Sequence, residues 1–118
     1  MEKPTNPRLR RLVKDLRKKE KEQEAQIWGD LAERLNKSNK SRAEVNVSTI
    51  NRNTEENDTV VIPGKVLGSG KLDHSVKVAA FDFSERAVKR IQETDGRIID
   101  IRDLMKDNPK GNNVKIME

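Results

Sequence analysis

The 118-residue chain has no cysteine, no tyrosine and a single tryptophan. Without cysteine the protein can form no disulfide, no zinc–thiolate site and no catalytic thiol. No apolar run approaches the roughly 20 residues that a membrane-spanning helix requires. The first residues contain charges but no apolar segment typical of a secretory signal, so we expect an intracellular protein.

Catalytic side chains are also scarce. The only histidine, His74, precedes Ser75, and neighbours on a strand point to opposite faces of a sheet, so they do not form a base–nucleophile pair. One histidine without cysteine does not make an ordinary transition-metal site, and scattered carboxylates are a weak case for magnesium or calcium. We therefore predict that the protein is not an enzyme and needs no cofactor and no metal.

A glycine-rich stretch, GKVLGSGKL, resembles a phosphate-binding loop but fails its spacing. A Walker loop ending at Lys71 needs glycine where Lys65 stands and a hydroxyl where Leu72 stands. The dinucleotide fingerprint fails as well, because Asp73 stands where its third glycine is required. The sequence thus disfavours nucleotide binding, and we expect these glycines to serve turn geometry and close backbone approach.

Charge is abundant and unevenly distributed. Charged residues make up 38% of the chain and hydrophobic residues 32%, which predicts a thin apolar core. The net charge is +5, yet residues 1–53 contain 14 Lys/Arg against 8 Asp/Glu, while the remainder is nearly balanced. A polyanion is the natural partner of such a basic half, and the alternative explanation is a solubilising charged surface.

The basic half predicts helices followed by a polar connector. Asn6 and Pro7 form a typical helix start, and apolar residues then recur at helical spacing as Leu9, Leu12, Val13 and Leu16. A second helix is predicted over residues 26–35, with Trp28 as a core anchor rather than a stacking platform. Residues 36–42 show no periodicity.

The second half alternates short strands and helices. After an extended piece with Val45 and Val47, we expect Ser48 to cap a short helix that holds Ile50. The predicted strands are 59–63, 65–67, 76–83 as the longest, 97–100 and a final strand near 114–117. Ser84 is predicted to cap a helix that Gly96 ends, and Asp100 to start another short helix. The chain therefore predicts an α/β fold, with a basic helical arm at 1–42 and a compact α/β domain at 43–118.

Basic and hydroxyl or amide side chains are interleaved through the connector and the following segment. Lys and Arg bind phosphates, and Asn and Ser bind phosphate and sugar oxygens. The scarcity of aromatic residues argues against base stacking, and no helix-turn-helix, zinc-finger or basic-zipper pattern occurs. We thus predict recognition of folded RNA by its shape, phosphates and 2′-hydroxyls. The candidates from this segment are Lys37, Lys40, Arg42, Asn46, Ser48, Asn51 and Arg52.

Several longer motifs resemble one family. The stretches are NPRLRRLVKDLRKKEKEQEAQIWGDLAERL, RAEVNVSTINR, DTVVIPGKVLGSGKLDHSVKVAAFDFSERAVKRI and NPKGNNVKIM. In order and over nearly the whole chain, they are similar to the ribosomal protein L-eighteen-e family of archaeal and eukaryotic large subunits, in its short archaeal form.

The resemblance implies a structural constituent of the cytoplasmic large ribosomal subunit that binds large-subunit rRNA beside other ribosomal proteins. It also implies kinship with bacterial ribosomal protein L-fifteen and its irregular superhelix of strand–strand–helix units. Matching motif positions add further RNA-facing candidates to those of the connector: Arg8, Arg10, Arg11, Lys65, Lys71 and His74. Lys14, on the basic face of the same first helix, is a further candidate. The alternative is a protein–protein adaptor whose N-terminal helix docks an acidic partner through its apolar stripe.

Overall fold

The computed structural model describes residues 6–37 and 42–118. Within these ranges the chain forms five helices and five strands. In chain order they are α1 (Pro7–Gln23), α2 (Gln26–Leu35), β1 (Ala43–Asn46), α3 (Val47–Asn53), β2 (Thr59–Leu67), β3 (Lys77–Phe83), α4 (Glu85–Glu93), β4 (Arg97–Asp100), α5 (Ile101–Asp107) and β5 (Val114–Ile116). The predicted mixed α/β fold is confirmed.

The chain divides into two compact units. The first comprises Met1–Arg42 and Arg102–Asn112, and the second comprises Ala43–Ile101 and Asn113–Glu118. The division into 1–42 and 43–118 stays a prediction, and it differs from these units in where residues 102–112 are placed.

Helix α1 begins as its sequence predicts. The Asn6 side chain accepts hydrogen bonds from the main-chain N–H groups of Arg8 (2.9 Å) and Leu9 (3.4 Å), and Pro7 follows as the first helical residue. Leu9 and Leu16 are fully buried, and the stripe to which they belong packs α1 against α2. The amphipathic pattern therefore holds the basic helix in a defined place within the first unit.

Trp28 anchors the first unit. Its side chain is fully buried, and its indole N–H donates to the main-chain oxygen of Pro109 over 2.7 Å. Gly111 adopts a left-handed conformation (φ 66°), and a Cβ there would lie 2.4 Å from Cγ2 of Ile27. The segment after α5 thus packs closely on α2, and the predicted core role of Trp28 is confirmed.

The second unit is built on a parallel sheet. The strand order is β1-β2-β3-β4. Strand β5 also pairs with β2, on the same edge as β1, but with residues 59–61 of β2, whereas β1 pairs with residues 64–67. Every strand pair is parallel, so the turns that enter the strands and those that leave them lie at opposite ends of the sheet.

Two predicted strands proved to be one. Residues 59–63 and 65–67 form the single nine-residue strand β2, which is longer than β3, the strand expected to be longest. The pairing with β3 shifts between Ile62 and Lys65, where Pro63 has no N–H to donate. The proline therefore makes an irregularity in the strand instead of ending it.

Both faces of β3 are buried, as its continuous apolar run predicts. Val78 and Ala80 belong to the core, where they meet Ile50 of α3 and Ile91 of α4, and Ala79 between them is also fully buried. The helices α3 and α4 accordingly cover one face of the sheet.

Beyond α1, helix ends confirm one more predicted cap and correct two others. The Ser84 hydroxyl accepts from the N–H of Ala87 (3.1 Å), as predicted. The prediction that Ser48 caps α3 was wrong, because the N-cap is Asn46, two residues earlier, and the helix begins at Val47. Asp95, not Gly96, adopts the left-handed conformation after α4 (φ 59°). Glycine is needed at 96 because a Cβ there would lie 2.7 Å from the main-chain oxygen of Val76.

Candidate nucleic-acid interface

The exposed surface of α1 is the most basic helical surface in the first unit. Its 17 residues include eight Lys/Arg and three Asp/Glu, and its first turn contains no acid. A helix N-terminus has a partial positive charge, so a cation there destabilises the helix by roughly 0.3–1 kcal/mol. The predicted contacts on this helix are all exposed: Arg8, Arg10, Arg11 and Lys14.

Anion binding at this helix end would depend on side chains. The N–H groups of Arg8 and Leu9 are bonded to the Asn6 side chain, and the N–H of Arg10 donates to the Asn6 main-chain oxygen over 3.0 Å. Because Pro7 has no N–H, the first turn offers few free backbone donors. Guanidinium and ammonium groups are the donors that remain for a phosphate.

Two residues near the ends of the connector, Lys37 and Arg42, contact each other. Arg42 donates from its guanidinium to the main-chain oxygen of Lys37 over 2.8 Å, and both residues are half-buried. Partial burial lowers the pKa of Arg42 from its usual value, yet the group stays a cation at neutral pH. Lys40, the other predicted contact here, lies outside the described residues.

In the second unit, a loop lies along α3. We call residues 68–76, which join β2 to β3, the return loop. At its start the Asn46 side-chain oxygen accepts from the N–H of Ser69 (3.2 Å), and the N–H of Ser48 donates to the Ser69 oxygen (3.2 Å). Gly70 has φ 90°, and a Cβ there would lie 2.3 Å from Cβ of Ser48. Backbone and helix therefore meet too closely for a larger residue.

Further bonds join the later residues of both segments. The Asn51 side-chain oxygen accepts from the N–H of Asp73 over 3.0 Å. The Thr54 hydroxyl lies 2.7 Å from Nε2 of His74. Beyond α3, the N–H of Asn57 donates to the Ser75 oxygen over 2.7 Å. Helix and return loop run in the same direction, so these contacts form a ladder between them.

His74 joins the ladder to a carboxylate. Its Nδ1 lies 3.0 Å from Oδ1 of Asp73, and its side chain is only 17% exposed. This hydrogen bond is the main cause that holds the pKa of Asp73 below its usual value, with further help from Lys71 and Asn51 and against partial desolvation. His74 is thus a connecting residue in the structure rather than an open surface donor.

The remaining predicted cations differ in their surroundings. Arg52 and Lys71 are exposed, and Arg52 donates to the Thr49 hydroxyl over 3.3 Å. Lys65 is half-buried and stands in register between Glu44 of β1 and Asp82 of β3. Paired residues of parallel strands share a face, so two carboxylates flank Lys65 and offset its charge.

The sequence prediction missed Thr54 and the amide groups of the return loop as partners of α3. The signal was present in the spacing of Asn51 and Thr54, which at three residues apart share one side of the helix. Nothing in the sequence indicated which backbone segment this polar side would meet.

The part of the chain that the structure describes contains neither a candidate metal site nor a candidate membrane span. No group of three or more His, Asp or Glu side chains there could hold a metal ion. None of its helices combines the length and the apolar character that membrane crossing requires.

Comparison with known proteins decides the family. The family model described as "Ribosomal protein 60S L18 and 50S L18e" matches residues 1–118. The chain belongs to this ribosomal protein family. The resemblance predicted from the sequence motifs is therefore confirmed.

Relatives in this family match at nearly full length. "Large ribosomal subunit protein eL18" of Methanoregula boonei is 49% identical over 113 residues, which cover 96% of this chain and 93% of the relative. The protein of the same name from Methanothermobacter thermautotrophicus is 46% identical over 114 residues, covering 97% and 94%. That of Methanosphaerula palustris is 48% identical over 115 residues, covering 98% and 95%.

Proposed function

We propose that the protein is a structural constituent of the large ribosomal subunit and binds large-subunit rRNA in the cytoplasm. Membership of a ribosomal protein family supports a structural role and no enzymatic one. The observation that carries the proposal is that the first turns of α1 are exposed, contain no acid and contain several arginines. The partial positive charge of a helix N-terminus makes cations unfavourable there. Binding to a polyanion would offset this repulsion.

The exposed cations among the contacts predicted from the sequence are the proposed phosphate contacts. They occur on α1, on α3 and in the return loop, and they are Arg8, Arg10, Arg11, Lys14, Arg52 and Lys71. The other predicted contacts outside the ladder stay predictions. Four of them are half-buried, namely Lys37, Arg42, Ser48 and Lys65, and Lys40 lies outside the described residues.

The proposed mode of recognition is shape and backbone. Trp28 is fully buried and bonded to Pro109, so it offers no platform for a base. Phosphates and 2′-hydroxyls of folded RNA suit a surface of Arg, Lys, Asn and Ser. Other ribosomal proteins are the further partners that a place in the large subunit implies.

The adaptor alternative loses its interface in the structure. It requires the apolar stripe of α1 to dock a partner, but Leu9 and Leu16 are fully buried and Leu12 is 3% exposed. Because this stripe already packs inside the protein, no observation favours the adaptor.

A salt titration of binding to an in vitro transcript of large-subunit rRNA tests the proposal. If the six exposed cations each neutralise one phosphate, log K should fall with log salt at a slope of about −4 to −5. An unrelated structured RNA of equal length measures the non-specific part. Binding that does not change with salt would contradict the proposal.

A further inference from the structure

We propose that Asn46, Asn51 and Thr54 are positioning residues that hold the return loop in its RNA-binding conformation, so that they act through Lys71 rather than by touching RNA. This inference rests on the proposed rRNA binding and assigns roles within that surface. It changes the predicted role of Asn46 and Asn51 from direct contact to support.

The return loop needs such support because it lacks regular structure. Residues 68–76 belong to no helix or strand, and each residue fixed in one conformation costs roughly 1–2 kcal/mol of chain entropy. Its apolar anchors are Leu72 and Val76, which are 7% and 1% exposed and belong to the core with Ile50. On either side of Leu72, the N–H groups of Ser69 and Asp73 are bonded to asparagine side chains.

The side-chain oxygens of the three residues are already bonded inside the protein. The side-chain oxygens of Asn46 and Asn51 each accept a loop N–H, and Asn51 also helps to keep Asp73 ionised. The Thr54 hydroxyl lies 2.7 Å from both the Ile50 oxygen and His74. Breaking these bonds to contact RNA would leave polar groups without their partners, which is costly.

The ladder fixes the position of one exposed cation, Lys71. It lies between the asparagine-bonded residues Ser69 and Asp73, and it follows Gly70, whose backbone packs against Ser48. A loop ordered before binding does not lose its entropy at the moment of binding. The ladder thus raises affinity by fixing Lys71 in advance.

A double-mutant cycle separates support from direct contact. The variants are Asn51→Ala, Lys71→Ala and the combination, and the readout is affinity for the large-subunit rRNA transcript. Asn51→Ala should weaken binding about three- to tenfold in the native background, which is the cost of ordering a few side chains and a loop on binding. In the Lys71→Ala background it should weaken binding by less than about twofold, because coupled residues are not additive. Equal effects in both backgrounds would overturn the inference.

A matched control and a second readout guard against trivial loss of folding. Asn53→Ala changes an exposed asparagine of the same helix that bonds only within the helix, to the Thr49 oxygen (2.8 Å), and it should leave affinity unchanged. Amide hydrogen exchange at Ser69 and Asp73 should accelerate in Asn51→Ala while exchange in β3 stays slow. If Asn51→Ala does not fold, Thr54→Val serves in the same cycle, since it removes one hydroxyl and keeps the shape.

Two substitutions of Asn46 test its role independently of the cycle. Asn46→Asp keeps the oxygen that accepts from Ser69 and suits a helix N-cap, whereas Asn46→Ala removes the acceptor. At high salt, where an added charge is screened, Asn46→Asp should bind as tightly as the native protein and Asn46→Ala about threefold or more weakly. Loss of binding in both variants would show direct contact through the amide nitrogen and contradict the positioning role.

Two outcomes separate failure of the proposed rRNA binding from failure of the positioning role. If native protein and Lys71→Ala bind the transcript equally and without salt dependence, the proposed rRNA binding itself fails. If Lys71→Ala weakens binding but the cycle is additive, rRNA binding stands and the positioning role fails.

Discussion

The face of α1 and the ladder of α3 represent two ways to prepare a surface for a polyanion. Helix α1 presents eight basic side chains along 17 residues, with its backbone donors already capped. The ladder presents two exposed cations, Arg52 and Lys71, and uses its amide and hydroxyl groups to order a loop. We infer that number of charges determines affinity at α1, and that geometry determines it at the ladder.

Acidic side chains in both regions have partners within the protein. In α1 the acids stand among a large excess of cations, and Asp15 pairs with Arg102. Beside the ladder, Asp73 meets His74, and Asp58 meets Lys115 over 3.0 Å. Asp58 and Asp73 thus have partners within the protein, which reduces their repulsion of a phosphate.

The largest expected loss of rRNA binding comes from removing charge from α1 alone. The triple variant Arg10→Ala, Arg11→Ala, Lys14→Ala should weaken rRNA binding by about 3 kcal/mol, near a hundredfold, because each phosphate contact contributes roughly 1 kcal/mol. The slope of log K against log salt should become less steep by about 2–3. Alanine favours helix, so the fold should persist, as circular dichroism can verify.

Glu22→Gln on the same exposed helix is the matched control for that variant. It removes a negative charge and should leave binding unchanged or slightly stronger. An unchanged salt slope in the triple variant would contradict the role assigned to α1.

The ladder is expected to respond to shape instead of charge. Gly70→Ala should destabilise the protein by about 1–3 kcal/mol, because a Cβ would stand 2.3 Å from Cβ of Ser48 in a left-handed conformation. Urea unfolding measures this loss as a lower midpoint with an unchanged slope. Ser69→Ala changes the exposed neighbour and should cost much less. Equal midpoints for Gly70→Ala and the native protein would show that the loop is not held against α3.

Sequence patterns predicted the elements well where local chemistry decides them. Asn6 with Pro7, Ser84 before α4 and the stripe through Leu16 each gave the observed helix, because caps and periodicity act over one or two turns. Patterns failed where a residue has two compatible roles. Pro63 disrupts pairing but need not end a strand, and Gly96 avoids a clash with Val76 instead of supplying a left-handed turn.

The candidate interface was only partly predictable for a related reason. Polar and basic residues from Lys37 to Arg52 predicted a candidate segment, but composition does not reveal which atoms are used within the protein. Asn46, Asn51 and His74 were predicted as RNA contacts, and the structure bonds all three to the return loop or its neighbours. These bonds depend on the path that the chain takes from β2 to β3. That path is a tertiary feature, so the local spacing of residues does not reveal it.

The smallest expected effect concerns Asp58, which stands just before β2. Its carboxylate accepts from the N–H of Glu55 (2.9 Å) and from Lys115 (3.0 Å), and these bonds, the first being the larger cause, hold the pKa of Asp58 below its usual value. A lowered folded-state pKa means that ionised Asp58 stabilises the fold above the unfolded-state pKa near about 4. This stabilisation is lost as the pH falls through the folded-state pKa.

Asp58→Asn isolates the charge, since asparagine keeps an oxygen that can accept from Glu55. The variant should be slightly less stable than the native protein at neutral pH, and the difference should shrink as the pH is lowered from about 5 toward 3. Urea unfolding across this range measures it, with Glu56→Gln as a control at an exposed acid of the same turn. A difference that stays constant with pH would mean that the contact with Lys115 contributes shape alone, and that charge adds nothing to stability on this side of the sheet.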